Sequence, residues 1–168
     1  MIIRPATTSD IPSITEIYAR SVDQEFVSFE LEPPDDVEML KRMNGLKAKN
    51  YPYLVAEVEN QVAGYAYASA HRPRPAYSKT VESTVYVAPQ FWRQGIASSL
   101  LTALVETCRK QKFREMIAIA ACEPHAELSD IPSIQLHLSN RFVDSGRLKS
   151  VGHKHGKWLD IVLMQRSL

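Results

Sequence analysis

Val85-Tyr86-Val87-Ala88-Pro89-Gln90-Phe91-Trp92-Arg93-Gln94-Gly95-Ile96-Ala97-Ser98-Ser99-Leu100-Leu101 decides the fold. It reads as the end of a strand, a tight turn and the start of a long helix. Gly95 and Ala97 stand where that helix begins. A helix start carries N–H groups with no carbonyl partner and a partial positive charge, so it accepts anions. Two near-absent side chains let a bulky anion reach the backbone. A plain strand-turn-helix connection is the competing reading. Two phosphate loops are excluded: no Lys-Ser/Thr pair follows Gly95, and the turn has one glycine where a dinucleotide fingerprint needs three.

The 168 residues suffice for one domain, 1–168, with a full core. Hydrophobic residues make up 45% and charged residues 23%, an ordinary globular balance. The formal net charge of +1 and the even spread of charge give no reason to expect nucleic acid or an anionic membrane as partner. No apolar run approaches the ~20 residues of a membrane span. Met1-Ile2-Ile3-Arg4-Pro5 lacks the profile of a signal peptide. Cys108 and Cys122 show no metal-like spacing and read as reduced thiols, so a cytoplasmic protein without a metal is expected.

Strands are expected at Ile2–Arg4, Tyr53–Glu59, Val62–Ala70, Thr80–Val87, Met116–Ala121, Gly146–Val151 and Trp158–Met164. A first helix has caps in Thr8-Ser9-Asp10 and a stripe of Ile11, Ile14, Ile17 and Tyr18. A second opens at Pro33-Pro34-Asp35-Asp36, with Val37, Leu40, Met43 and Leu46 as its stripe. The third, Gly95–Lys110, repeats Ile96, Leu100 and Leu104 every four residues. Ser133–Asn140 is a short fourth. The order β-α-α-β-β-β-α-β-α-β-β joins a hairpin-rich half to one right-handed crossover. It implies an α/β (α+β) fold, with a mixed, twisted sheet of about seven strands flanked by about four helices.

The turn and this element order resemble the GNAT superfamily of N-acetyltransferases, whose signature is Gln/Arg-x-x-Gly-x-Gly/Ala. Gly95 and Ala97 match its last two fixed positions, and Trp92 departs from the first. Further blocks resemble the phosphinothricin and methionine sulfoximine acetyltransferase branch. These are Ile3-Arg4-Pro5-Ala6-Thr7, Phe29-Glu30-Leu31-Glu32-Pro33-Pro34, Gly64-Tyr65-Ala66-Tyr67-Ala68 and Arg72-Pro73-Arg74-Pro75-Ala76-Tyr77. Thr80 to Val87, Ser133-Ile134-Gln135-Leu136-His137 and Val151 to Asp160 continue the match to the C-terminal end. Three departures accompany Trp92. Asn140-Arg141-Phe142 replaces the usual Leu-Gly-Phe, Cys122–Pro132 is longer than usual, and Asp130 stands where relatives place an asparagine near the cofactor.

The resemblance implies an acyl-CoA N-acyltransferase fold and transfer of acetyl from acetyl-CoA to the amino group of a small amino-acid-like substrate, in a homodimer. Another small amine, such as a polyamine or an aminoacyl conjugate, and a CoA-binding module without catalysis are the alternatives. The reaction needs a neutral amine, a polarised carbonyl, a stabilised thiolate and alignment, the last worth ~7–11 kcal/mol. Glu82 is the candidate base, acting through water because a carboxylate is a weak base for an ammonium; otherwise it is a strand glutamate on a solvated face. His137 is a candidate to protonate or hydrogen-bond the CoA thiolate, or else a satisfied core histidine. Val85, Tyr86 and Val87 are expected beside the cofactor, with a bulge freeing an N–H to polarise the carbonyl. Arg93, Gln94, Gly95, Ile96, Ala97 and Ser98 are expected on the pyrophosphate, and Asp130 and Ser133 near the cofactor. Arg72 and Arg74 suit a substrate carboxylate through their planar forks, or are solvated. Phe29, Glu30 and Tyr77 are expected to line the substrate pocket. Lys154 is expected to meet an acidic substrate group, or to sit in a dimer contact.

Overall fold

The computed structural model describes residues 1–168. Its strands are β1 (Ile2–Pro5), β2 (Tyr53–Val58), β3 (Gln61–Ala70), β4 (Thr80–Val87), β5 (Glu115–Cys122), β6 (Val143–Lys154) and β7 (Lys157–Ser167). They form one sheet in the order β1-β2-β3-β4-β5-β7-β6. Only β4 and β5 run parallel, and the crossover between them is helix α3 (Ile96–Lys110). Helices α1 (Ile11–Gln24) and α2 (Asp36–Ala48) follow β1, and α4 (Pro132–Ser139) follows β5. The expected mixed α/β architecture of seven strands and four helices is what the chain adopts.

Strand alternation sorts the core into two layers. Tyr53, Val55 and Tyr65 face α1 and α2, where they pack with Ile14, Val22, Met39 and Met43. Leu54, Ala56, Ala66 and Ala68 face α3 and meet Leu100, Leu101 and Leu104. The small alanines bring α3 close to the sheet. Each fully buried leucine contributes roughly 1.5–3 kcal/mol. Thr7 and Asp10 form a capping box ahead of α1, and Asp35 accepts from Glu38 N–H at 2.8 Å to start α2.

Four expectations change. Val37 is 75% exposed, because the buried stripe of α2 is Met39 and Met43, one turn apart. The β2–β3 turn is Glu59-Asn60, both with positive φ, rather than Asn60-Gln61. β6 and β7 are longer than their apolar cores, since β6 is an edge strand with a largely exposed face. Finally, β4 carries no bulge: its register with β3 is continuous from Gly64↔Val87 to Ala70↔Val81. The register shift in this half of the sheet is at Ala56/Glu57 of β2.

Candidate active site

The sheet opens in its middle. His71 N–H reaches Thr80 O at 3.4 Å and Ala88 N–H reaches Ala63 O at 2.9 Å. The ladder with β3 therefore uses the even-numbered residues of β4, and Val81, Ser83, Val85 and Val87 turn their main chain towards β5. Pairing with β5 extends only from Thr80↔Glu115 to Glu82↔Ile117. Beyond that point Val85 and Val87 face a slit with no strand partner. Divergence of two strands thus frees the N–H groups that a bulge was expected to free. Tyr86 does not join them. Its main chain faces β3, and its ring packs edge-on to Tyr18 at 5.2 Å on the α1 side.

At the mouth of the slit stands the start of α3. Gly95 caps it with φ +78°, and Arg93 is also left-handed at +57°. The first backbone bond of the helix joins Ser99 N–H to Gly95 O at 3.0 Å. The N–H groups of Ile96, Ala97 and Ser98 are left open, an arrangement that can accept an anion. The Ile96 side chain is buried, so this residue offers only its main chain. The Gln94 amide folds back to Gln90 O at 3.1 Å, and the Trp92 indole N–H donates to Val87 O at 2.7 Å. Of the slit-facing groups, Val87 O is thus already taken.

Glu82 sits at the apex of the slit, half-buried, on the sheet face covered by α1 and α2. Its Oε1 is 2.7 Å from His71 Nδ1. His71 meets the Tyr77 ring edge-on at 5.7 Å, and Arg72 Nε is 3.4 Å from His71 Nε2. The Arg72 guanidinium lies 5.8 Å from the Tyr77 ring centre. Arg74 is exposed and makes no side-chain hydrogen bond or ion pair. Beside Glu82, across its register partner Ser69, lies a cavity of about 340 Å³ lined by Tyr18, Arg42, Tyr53, Tyr65 and Tyr67. The buried Tyr65 hydroxyl has no partner. Burial pushes that phenol well above its usual range, so it stays protonated and able to donate.

The segment between α1 and α2 is pinned over this face. Lys154 is 1% exposed and donates from Nζ to Ser28 O at 2.7 Å. Burial lowers its pKa, against the pull of Asp23, Glu25 and Glu30. Its ammonium therefore anchors a loop, and the expected contact with an acidic substrate group is replaced by a structural one. Glu30 accepts from Tyr18 Oη at 2.9 Å and from Arg42 Nη1 at 2.6 Å, so its carboxylate is engaged within the protein. The Phe29 ring packs on Gly152, where any Cβ would collide with it.

On the α3 side, His137 of α4 is buried. Its Nδ1 lies 2.6 Å from Ser133 O, so Nδ1 carries the proton and Nε2 the lone pair. Nε2 is buried and without partner. Desolvation lowers the pKa, against the Ser133 contact, so the resting imidazole is neutral. In that state Nε2 is an acceptor, and it must take up a proton before it can give one. Asn140 Nδ2 donates to Ser98 Oγ at 3.2 Å and its Oδ1 accepts from Thr102 at 3.1 Å, tying α4 to the first turns of α3. Asp130 is exposed and meets only the Ser129 hydroxyl, at 3.2 Å.

The chain matches the model of the acetyltransferase (GNAT) family over residues 14–138. It belongs to that family. It is 43% identical to a phosphinothricin N-acetyltransferase of Alcaligenes faecalis, over 99% of this chain and 82% of that one. It is 34% identical to an L-methionine sulfoximine/L-methionine sulfone acetyltransferase of Pseudomonas paraeruginosa, over 99% and 94%. The solved phosphinothricin acetyltransferase of Sinorhizobium meliloti, in complex with AcCoA, superposes with a TM-score of 0.93 at 41% identity, over 99% and 88%. The protein is an acetyltransferase, and acetyl-CoA is its co-substrate.

Within this acetyltransferase the structure adds residues that the sequence reading passed over. Tyr53, Tyr65 and Tyr67 stack on one sheet face, which the Tyr-x-Tyr spacing in β3 does encode. Arg147 holds the long segment after β5, through Ala126 O at 3.0 Å, Glu123 O at 3.2 Å and Asp160 at 2.8 Å. His71 left no local signal, because its partner stands on the neighbouring strand. No helix is long and apolar enough to cross a membrane.

Proposed function

We propose that the enzyme acetylates the α-amino group of a small amino-acid-like substrate, of the phosphinothricin, methionine sulfoximine or methionine sulfone type, by direct attack in a ternary complex. The observation that carries this reading is the slit. Acetyl-CoA enters it from the α3 side, with its pyrophosphate on the N–H groups from Arg93 to Ser98 and its pantetheine along Val85 and Val87. The amine comes from the α1/α2 side to Glu82. Only at the apex, where β4 leaves β5, do the two sides meet.

One ammonium proton passes through water to Glu82. The freed lone pair attacks the thioester carbon, whose oxygen is polarised by a main-chain N–H of β4. The N–C bond forms and the C–S bond breaks. His137 Nε2 takes the second proton of the nitrogen and gives it to the CoA thiolate. The products are the amide and CoA thiol, with one proton left on Glu82 to return to solvent. Arg72 and Arg74 bind the substrate carboxylate, and the tyrosine-lined cavity takes its side chain. Tyr77 lines that site, while Phe29, Glu30 and Lys154 shape it by holding the loop above.

We further propose one catalytic domain, 1–168, working as a homodimer in the cytoplasm. The long edge strand β6 exposes Val143, Leu148 and Val151, with Trp158 beside them, a surface suited to a second copy. Both thiols are free and buried, and burial pushes the Cys108 thiol up to about 12. Such inert thiols fit a reducing compartment.

The test is release of free CoA from acetyl-CoA with a panel of amines: phosphinothricin, methionine sulfoximine, methionine sulfone, ordinary amino acids, spermidine and a lysine peptide. Selective turnover of the amino-acid analogues is expected, with Arg72→Ala or Arg74→Ala raising KM for them. Turnover of spermidine or the peptide in preference to them overturns the substrate assignment.

A further inference from the structure

The Glu82 carboxylate has two oxygens, and only one of them is free. Oε1 is held 2.7 Å from His71 Nδ1, and both side chains are partly buried, at 28% and 18% exposure. The other ring nitrogen, Nε2, faces the Arg72 Nε–H at 3.4 Å. A guanidinium is donor-only, so Nε2 is the accepting ring nitrogen and Nδ1 the one that carries the proton to Glu82. The edge of Tyr77 fixes the ring plane. Four elements thus converge on one proton position: the end of β3, the Arg72 loop, the short turn Pro75–Tyr77, and β4. Tyr67 is the other ionisable group facing Glu82 on this side, and it sits on β3 across from Thr84.

We propose that His71 is the positioning residue of the proton-accepting group: its Nδ1–H ties down Glu82 Oε1 and aims Oε2 at the substrate amine. The inference rests on the proposed acetyl-transfer reading. An untethered glutamate in a half-open cleft samples several rotamers, and freezing them costs side-chain entropy. A fixed N–H donor removes that freedom before the substrate arrives. It also leaves a single oxygen with its lone pairs unused. In the step itself one N–H bond of the substrate ammonium breaks and one O–H bond forms at Oε2, directly or across one water, while the imidazole keeps its proton. The arrangement parallels a carboxylate that orients a histidine base, with the roles exchanged. It also gives the Arg72 loop a second task. The guanidinium that is to meet the substrate carboxylate also selects the tautomer of His71, so substrate anchoring and base alignment share one loop.

The test has a kinetic and a spectroscopic arm. His71→Phe keeps an aromatic ring against Tyr77 and removes the donor; kcat is expected to fall about tenfold, part of the 10²–10⁴-fold a general base supplies. KM for acetyl-CoA and for the amine should stay within twofold. His71→Asn, whose Nδ2 replaces Nδ1, should recover most of the loss. In a Glu82→Gln background His71→Phe should add nothing. An unchanged kcat in His71→Phe, or His71→Asn as poor as His71→Phe at equal melting temperature, overturns the proposal. The second arm needs no turnover. Ring ¹⁵N and ¹H shifts should show His71 as the Nδ1–H tautomer in the wild type, with a strongly hydrogen-bonded Nδ1 proton that loses its downfield shift in Glu82→Ala. An Nε2–H ring in the wild type overturns the His71 assignment even if the enzyme is fully active. Silence of the wild type across the amine panel, with the Nδ1–H tautomer intact, overturns the substrate reading and leaves the dyad standing.

Discussion

Replacing Arg141 by glycine should stabilise this enzyme, and the reason is local. α4 ends at Ser139, with Asn140 as its cap, and Arg141 follows at φ +64°. Arg141 N–H donates to Leu138 O and Phe142 N–H to His137 O, each at 3.0 Å. This is the paired closure of a Schellman motif, and its apolar contact is present as the His137 and Phe142 rings, 4.9 Å apart and nearly perpendicular. The motif wants a residue without a Cβ at the left-handed position. An L side chain there costs roughly 1–2 kcal/mol. Glycine removes that strain, but it loosens the unfolded chain, which takes back about 0.4–1 kcal/mol. The net expectation for Arg141→Gly is a gain of about 0.5–1 kcal/mol, or about 1–4 °C in Tm for a chain of this size. Charge acts in the same direction. Burial lowers the pKa of Arg166, and the neighbouring cations Arg109 and Arg141 add to it. Arg141→Ala separates the two causes, because it removes the cation and keeps the Cβ. Urea unfolding followed by tryptophan fluorescence should show the glycine variant above both wild type and the alanine variant, at unchanged m-value. If alanine stabilises as much as glycine, charge is the cause and the strain argument fails. If glycine falls below wild type, the Arg141 side chain makes a contribution that its exposed position does not reveal.

Two further perturbations probe the frame around the site. Asp10 takes two bonds from Arg4, at 2.7 and 2.8 Å, and one from Thr7 N–H at 2.7 Å; chiefly the Arg4 bonds lower its carboxyl to about 2. A carboxyl lowered in the folded state contributes stability that is full above its ordinary value near 4 and lost as pH falls through 2. Asp10→Asn should thus lower stability by about 2 kcal/mol at pH 7 and by progressively less between pH 4 and pH 2, read from urea midpoints across pH; a difference that does not vary with pH refutes the assignment. Gly152→Ala drives a Cβ into the Phe29 ring and should lower stability by about 1–3 kcal/mol. Phe29→Ala in the same chain should recover part of that loss, and strictly additive effects would show that the two residues do not meet.

What could be read from the chain without coordinates was what neighbouring residues decide. The strand-turn-helix from Thr80 to Lys110 is local, and the stripe of Ile96, Leu100 and Leu104 is the buried face of α3. The start of α3 at Gly95 was legible because a helix end is set by one or two neighbouring residues. Lys154 was misread because its partner, Ser28, lies 126 positions away and no pattern within β6 points to it. The free N–H groups of β4 were expected from a bulge and have another cause. A bulge is a feature of one strand and leaves a trace in its sequence, whereas divergence of β4 from β5 depends on what else β5 does. β5 stays paired with β7 over its whole length, to Cys122↔Asp160, while β4 stays with β3 to Val87. Each strand follows its antiparallel partner, and the single parallel pair between them comes apart.

That origin is what lets the proposed mechanism bring two substrates to so short a stretch. Along β4 the period of two sends alternate residues to opposite tasks. The main chain of Val85 and Val87 turns into the slit, where the thioester arm is to lie. Glu82, Thr84 and Tyr86 give their main chain to β3 and their side chains to the face under α1 and α2, where the amine is to lie. One strand, half unpaired, thereby forms a wall common to both binding spaces, and no residue on it has to serve both. A shift of the β4 register by one residue would exchange the two sets, turning Glu82 into the α3 core and Val81 into the amine site. The close fit of Gly64 against Tyr86 O and Val87 opposes such a shift, since a Cβ at residue 64 would fall 2.6 Å from that oxygen. The glycine that lets β3 approach β4 therefore also fixes which residues of β4 face α3 and which face α1 and α2.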